Sequence, residues 1–121
     1  MALVLRFRSE AQLVSSLGTA YTVAGSPITI VAASLVNAQQ RVGIYRCVIE
    51  ALAGAATIQF QDTGSTVMSA QYSLGVNGFF ILDTPINGDP WWQGGLGRGL
   101  QLVLTGTGPV AADIWYGLGG P

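Results

Sequence analysis

Few residues in this sequence are suited to acid-base or nucleophilic chemistry. Histidine is absent, and all five basic residues are arginines, so lysine is absent as well. Histidine is the usual general base and the commonest metal ligand, while lysine supplies Schiff-base chemistry and the Ser-Lys dyad. We therefore expect a protein that is not an enzyme and that uses neither a cofactor nor a metal.

Asp62 is the best candidate for a catalytic residue, because it begins the tripeptide Asp62-Thr63-Gly64. This tripeptide resembles the active-site loop of the aspartic proteases, in which each subunit of a dimer brings one carboxylate and the pair shares a proton. Gln61 stands where that family has an apolar residue, and the motif comes halfway along the chain instead of after a short leader. Asp and Gly are also common turn residues. We expect a hairpin turn here, with a dimeric protease as an alternative.

Two other features have a chemical and a structural interpretation. The glycine-rich stretch 94–99 resembles a phosphate-binding loop, but it leads into a strand-like run and not into the helix N-terminus that such a loop requires. We interpret it as a surface loop. Cys47, the single cysteine, lies in the apolar run 42–49, and we expect a buried and unreactive thiol.

Composition indicates a protein that is built into an assembly. A chain of 121 residues fits one domain, residues 1–121. Half of the residues are apolar and only 9% are charged, which leaves few charges to cover the surface of a lone soluble monomer. We therefore predict a homodimer or homotrimer.

Charge and hydropathy argue against several other partners. The net charge is −1, and the only basic cluster is Arg6 and Arg8, so we expect no binding to nucleic acid. The longest apolar runs are far shorter than the roughly 18 residues of a spanning helix, so we expect no membrane association. The first eight residues lack the pattern of an export signal, which favours synthesis in the cytoplasm.

Short runs of strand-forming residues alternate with turn residues along the whole chain, which is typical of an all-β protein. We predict an antiparallel β-sandwich with a jelly-roll-like arrangement of eight or nine short strands. Residues 9–18 are the exception, because Leu13, Val14 and Leu17 share a helical face and indicate one short N-terminal helix. The predicted strands cover residues 3–8, 20–24, 28–35, 41–51, 57–61, 66–72, 79–85, 100–105 and 111–116.

Two segments are candidate interfaces. In residues 1–10, Arg6 and Arg8 flank Phe7 in a strand pattern, and we expect an arm that reaches outside its own sandwich. The second segment contains Pro90, Trp91 and Trp92, where the proline stiffens a loop that carries large aromatic side chains. We expect a protein contact there. A sugar-binding platform, or one ring folded onto the end of the sandwich, are the alternatives.

The second half of the sequence resembles small virion proteins of tailed bacteriophages. The resemblance rests on residues 58–64, on the loop 86–92 with its Gly-Asp-Pro-Trp-Trp sequence, on the Gly-Leu-Gln-Leu strand 99–102, and on a last strand that ends in Tyr116. It implies a jelly-roll capsid decoration, or cement, protein on the outer capsid surface. Such proteins form dimers or trimers over the junctions between copies of the major capsid protein. A carbohydrate- or receptor-binding virion module is the alternative.

Overall fold

The computed structural model describes residues 12–15, 21–83 and 89–120, and these residues form an all-β sandwich. Nine strands in two antiparallel sheets account for almost all of the regular structure in these ranges. The prediction of an antiparallel, jelly-roll-like sandwich is thereby confirmed.

The first sheet has five strands. Its order is β1 (Gln12–Ser15), β9 (Val110–Gly119), β3 (Arg41–Ala51) and β6 (Phe79–Leu82), and β7 (Trp92–Gln93) also pairs with β3. Cys47 pairs with Leu82 at one end of β6, while Ile44 pairs with Trp92 in β7. The strands β6 and β7 therefore lie end to end along the same edge of β3.

The second sheet has the order β2 (Ile28–Val31), β8 (Leu100–Gly106), β4 (Ala56–Asp62) and β5 (Tyr72–Leu74). Alternate residues of β4 and β8 are buried, as the sequence pattern predicts for half-buried strands. Each large side chain buried between the sheets stabilises the fold by about 1.5–3 kcal/mol. The fully buried large side chains include Ile44, Ile49, Ile58, Phe60, Leu100, Leu102 and Ile114.

The predicted N-terminal helix is wrong where the structure describes it. Residues Gln12–Ser15 form β1, in which Gln12 pairs with Tyr116 and Ser15 with Asp113 of the long last strand. A helix of two or three turns is marginal in water, whereas adding a strand to β9 forms backbone hydrogen bonds along an existing edge. Tertiary pairing therefore outweighs the local helical pattern.

Several other strand predictions differ from the structure in their bounds, and β6 and β9 are two of them, since β6 ends at Leu82 and β9 extends to Gly119. Most of the segment expected as a strand at 66–72 is a loop, in which Met68 N donates to Phe60 O at 2.9 Å. The strand, β5, begins only at Tyr72. Short 3-10 turns at Val23–Gly25 and Ala33–Leu35 replace parts of the strands expected at 20–24 and 28–35. The strand expected at 3–8 lies outside the described residues.

Candidate functional site

The two adjacent tryptophans have different environments. Trp92 points into the sandwich, where its ring centroid lies 5.8 Å from that of Phe60, 6.2 Å from Tyr72 and 6.5 Å from Phe80. Trp91 is 48% exposed. Neighbouring residues of an extended chain point to opposite faces, and this geometry separates the pair. Of the predicted interface pair, only Trp91 presents a large exposed surface.

Trp91 is held in place at both its backbone and its ring. Its backbone N–H donates to Ile44 O at 2.8 Å, and its indole N–H donates to the carbonyl oxygen of Asp83. These bonds fix the residue in the gap between the end of β6 and the start of β7. Pro90, the third predicted residue of this loop, is half-buried beside it. The remaining predicted interface residues, Arg6, Phe7 and Arg8, lie outside the described residues.

Strand β6 carries two further exposed apolar side chains, which the sequence interpretation did not assign to an interface. Phe79 is 57% exposed and Ile81 is 60% exposed, both on the outer face of the five-stranded sheet. We name the exposed patch formed by Phe79, Ile81 and Trp91 the β6 patch. The signal was present in the sequence, because Phe79-Phe80-Ile81-Leu82 is continuously apolar where a strand with one solvated face would alternate.

Charged residues lie beside the β6 patch on the same outer face. Glu50 is directly opposite Phe79, and Val48, which is opposite Ile81, is also opposite Asp113 of β9. Farther along the face, the guanidinium of Arg46 stacks on the Trp115 ring at 4.5 Å from its centroid. Such a pairing of cation and ring is favourable at a surface. The outer face thus carries two carboxylates and one arginine beside its apolar edge.

Asp62, the candidate catalytic residue, is 1% exposed and holds two loops together. Its Oδ1 accepts hydrogen bonds from Gly64 N at 2.8 Å and Thr66 N at 3.1 Å, and its Oδ2 accepts one from Gly95 N at 3.1 Å. Arg98 Nη1 lies 3.5 Å from Oδ1. The loop that follows β4 is thereby tied to the glycine-rich loop before β8.

The hydrogen bonds to Asp62 decide its ionisation. Burial alone raises the pKa of a carboxyl group, but the backbone donors of Thr66, Gly95 and Gly64 and the charge of Arg98 outweigh burial, so the pKa of Asp62 lies below its ordinary value. A catalytic dyad needs two carboxylates that approach each other and share a proton. Asp62 is instead an ionised carboxylate enclosed by its own chain, with donors on both oxygens.

The glycine-rich loop directs its backbone N–H groups inward. Gly94 N donates to Val42 O, Gly95 N to Asp62, and Gly97 N to Gln40 O. Gly99 N donates to Thr63 Oγ1 at 2.9 Å. A phosphate cradle needs several such groups pointing at the ligand. Gly95 and Gly99 use them to hold the Asp62 turn, and Gly94 and Gly97 use them to hold residues 40–42, so this surface loop is fixed by its own chain.

Cys47 is fully buried in β3, as the sequence predicted. Burial raises the pKa of its thiol to about 12, against a smaller lowering by a hydrogen bond with the backbone of Leu82. The thiolate is the reactive form, so this cysteine is chemically inert in the folded protein.

Within residues 12–15, 21–83 and 89–120, no three His, Cys, Asp or Glu side chains gather as metal ligands would, and no helix is long and apolar enough to cross a membrane. A shallow depression of about 230 Å³ lies at one end of the second sheet. Small uncharged residues line it: Ala55, Ala56, Thr57, Ser73, Leu74 and Gly106.

Comparison of the chain with protein-family models, with curated proteins and with solved structures found no match in any of the three. The functional interpretation therefore depends on the residues and geometry described above.

Proposed function

We propose that this protein is a non-enzymatic structural subunit of a virus particle, and specifically a capsid decoration protein of a tailed bacteriophage. The observation that carries the proposal is the β6 patch, in which the exposed ring of Trp91 is fixed at the end of the edge strand that also exposes Phe79 and Ile81. Clustered exposed apolar side chains on a folded domain mark interaction sites. The chain has only 9% charged residues, which also suits a protein that works within an assembly.

In this proposal Trp91 is the centre of the contact with the major capsid protein. A fixed tryptophan offers a large apolar area and loses little conformational entropy on binding, which is why such residues dominate binding energies at interfaces. The protein would be made in the host cytoplasm and would bind over the junctions between capsid subunits on the outer surface. Neither nucleic acid, membrane, metal nor cofactor takes part in this role.

The state of Asp62 favours a structural role over the alternative of a dimeric protease. A carboxylate that is 1% exposed and accepts bonds from Gly64, Thr66 and Gly95 is poorly placed to meet the same residue of a second subunit. Opening that site would leave buried donors without partners, at a cost of about 1–3 kcal/mol for each group. A hairpin turn explains the same residues without this cost.

The proposal is tested by binding to capsids. Empty capsids assembled from the major capsid protein of the genome that encodes this chain are mixed with the purified protein and sedimented. We expect the protein to sediment with the capsids and Trp91→Ala to weaken the association at least about thirtyfold, since loss of a central tryptophan costs about 2 kcal/mol or more. Leu35→Ala is the matched control, because Leu35 is 65% exposed and lies outside the β6 patch.

Two outcomes would contradict the proposal. If the wild-type protein does not sediment with capsids, or if Trp91→Ala and Leu35→Ala bind equally well, the β6 patch is not a capsid contact. Binding to a glycan array that Trp91→Ala abolishes, without capsid binding, would instead support the carbohydrate- or receptor-binding virion module.

A further inference from the structure

Strand β6 is an open edge of the five-stranded sheet. It pairs with β3 on one side, and among the residues that the structure describes no strand pairs with its other side. Edge strands are usually protected against pairing by lysine or proline, by a bulge, or by their short length. Strand β6 is short, with four residues. The sequence Phe79-Phe80-Ile81-Leu82 has neither lysine nor proline, and its register with β3 is regular. This edge is therefore suited to receive a further strand.

We propose that residues 3–8 of a second copy of this chain add to β6 as an extra strand. The inference deepens the proposed function and rests on it in part, because it states how the subunits of the decoration protein would join one another. Residues 3–8 alternate between an apolar set, Leu3, Leu5 and Phe7, and a set that carries both arginines, Val4, Arg6 and Arg8. Such alternation is the pattern of a strand with one buried side.

The two sides of this pattern match the two sides of β6. Phe80 and Leu82 are half-buried at the rim of the core, and Leu5 and Phe7 of the added strand would cover them. On the outer face the added arginines would lie next to Phe79 and Ile81, with Glu50 of β3 opposite Phe79 on the other side of β6. Directly opposed side chains on neighbouring strands share a face, so apolar and charged complementarity are satisfied in one register.

Geometry favours a second copy over the chain's own N-terminal segment as the donor. Strand β1 lies at the edge of the sheet opposite to β6, in the order β1-β9-β3-β6. A strand added beyond β6 is four strand spacings from β1, or about 19 Å. Residue 8 is four residues before Gln12, and such a stretch spans at most about 14 Å. A neighbouring copy is free of this restriction.

The proposed contact joins two different surfaces, a donor segment and an acceptor edge. Each surface can therefore be altered in a separate full-length variant. Ile81→Lys places a charge on the acceptor edge and leaves the donor segment intact, whereas Phe7→Lys alters the donor and leaves the acceptor intact. The mass of each variant is measured by analytical ultracentrifugation at micromolar concentration, alone and in an equimolar mixture. Leu35→Lys is the control for adding a lysine at an exposed apolar position.

We expect wild type and Leu35→Lys to be oligomers and each of the other two variants to be a monomer. In the mixture, one intact donor and one intact acceptor remain, so a one-to-one complex should form. Ile81 is 60% exposed, so its replacement leaves the core unchanged, and Phe79→Lys provides a second acceptor variant. The inference is overturned if the mixture stays monomeric, or if Ile81→Lys or Phe7→Lys keeps the wild-type mass.

This test separates the inference from the proposed function. Trp91→Ala is expected to keep the wild-type oligomer while losing capsid binding. If the two variants form no complex in the mixture but the wild-type protein binds capsids, only the strand addition is rejected. If the two variants form a complex but the wild-type protein does not bind capsids, only the capsid role is rejected.

Discussion

Asp62 and Arg98 join two loops that are far apart in the sequence, with Arg98 Nη1 lying 3.5 Å from Asp62 Oδ1. The same nitrogen lies 3.1 Å from Thr66 Oγ1, so the arginine bridges the Asp62 carboxylate and the end of the turn that follows Asp62. Arg98 remains half-exposed, whereas Asp62 is buried. The buried carboxylate is therefore the centre of the contact, and the arginine closes it on the solvent side.

Asp62→Asn is expected to destabilise the fold. In asparagine, an amide N–H₂ group replaces one of the two carboxylate oxygens. One of these oxygens accepts from Gly64 and Thr66 and the other from Gly95, so in either orientation at least one buried donor is left unsatisfied. We expect the free energy of unfolding to fall by about 1–3 kcal/mol, measured by urea denaturation. Asp83→Asn, at an exposed position, is the control and should change it little. Equal stability of the two variants would show that the Asp62 hydrogen bonds contribute nothing.

Stability should also depend on pH through Asp62. Its pKa in the folded protein lies below the ordinary value of an aspartate, because the hydrogen bonds and Arg98 outweigh burial. As the pH falls, the unfolded chain therefore binds the proton first. The contribution of Asp62 to the free energy of unfolding is complete above the pKa of the unfolded chain, and it is lost as the pH falls from there toward the pKa of the folded protein. Urea denaturation at a series of pH values below neutrality should show the decline, with a smaller slope in Asp62→Asn. Parallel curves for both proteins would contradict this assignment.

The Cys47 thiol should be protected as long as the protein is folded. It is fully buried, and burial raises its pKa to about 12, so the reactive thiolate is scarce. We expect a thiol reagent at about pH 8 to label almost none of the native protein and to label it completely in concentrated denaturant. Rapid labelling without denaturant would mean that β3 opens readily.

The strands with the clearest sequence patterns were predicted best. The strand expected at 41–51 matches β3, and the alternation around Ile58 and Phe60 identifies β4. Residues 12–15 were assigned to a helix because Leu13 and Val14 fit either pattern, and their partner strand is about a hundred residues away. Sequence patterns describe local periodicity, so pairing over such a distance is invisible to them.

The exposure of Trp91 was expected from the sequence, whereas its surroundings were not, and its role as a contact residue stays a prediction. The expectation of an exposed tryptophan follows from Pro90 and the turn-forming residues before it in the sequence. The separation of Trp91 from Trp92 depends on β7, which is only two residues long and has no recognisable pattern. The turn at Asp62 was predicted, but the donor Gly95 lies 33 residues away, so the burial of the carboxylate could not be anticipated.

Trp91→Ala and Trp92→Ala should separate assembly from stability. Trp92 packs with Phe60, Tyr72 and Phe80, so removing its ring leaves a cavity at the rim of the core. We expect the free energy of unfolding to fall by about 3 kcal/mol in Trp92→Ala. Trp91 is 48% exposed and contributes mainly a hydrogen bond to Asp83, so Trp91→Ala should cost less than about 1 kcal/mol.

The measurement is chemical denaturation of both variants, together with the capsid sedimentation assay under conditions in which both are folded. Trp92→Ala should bind capsids like the wild type once it is folded, because its ring is directed into the sandwich. Trp91→Ala should remain stable and lose binding. If Trp91→Ala unfolds the protein as severely as Trp92→Ala, the exposed ring is a structural part of the sheet edge, and its role as a contact residue has to be abandoned.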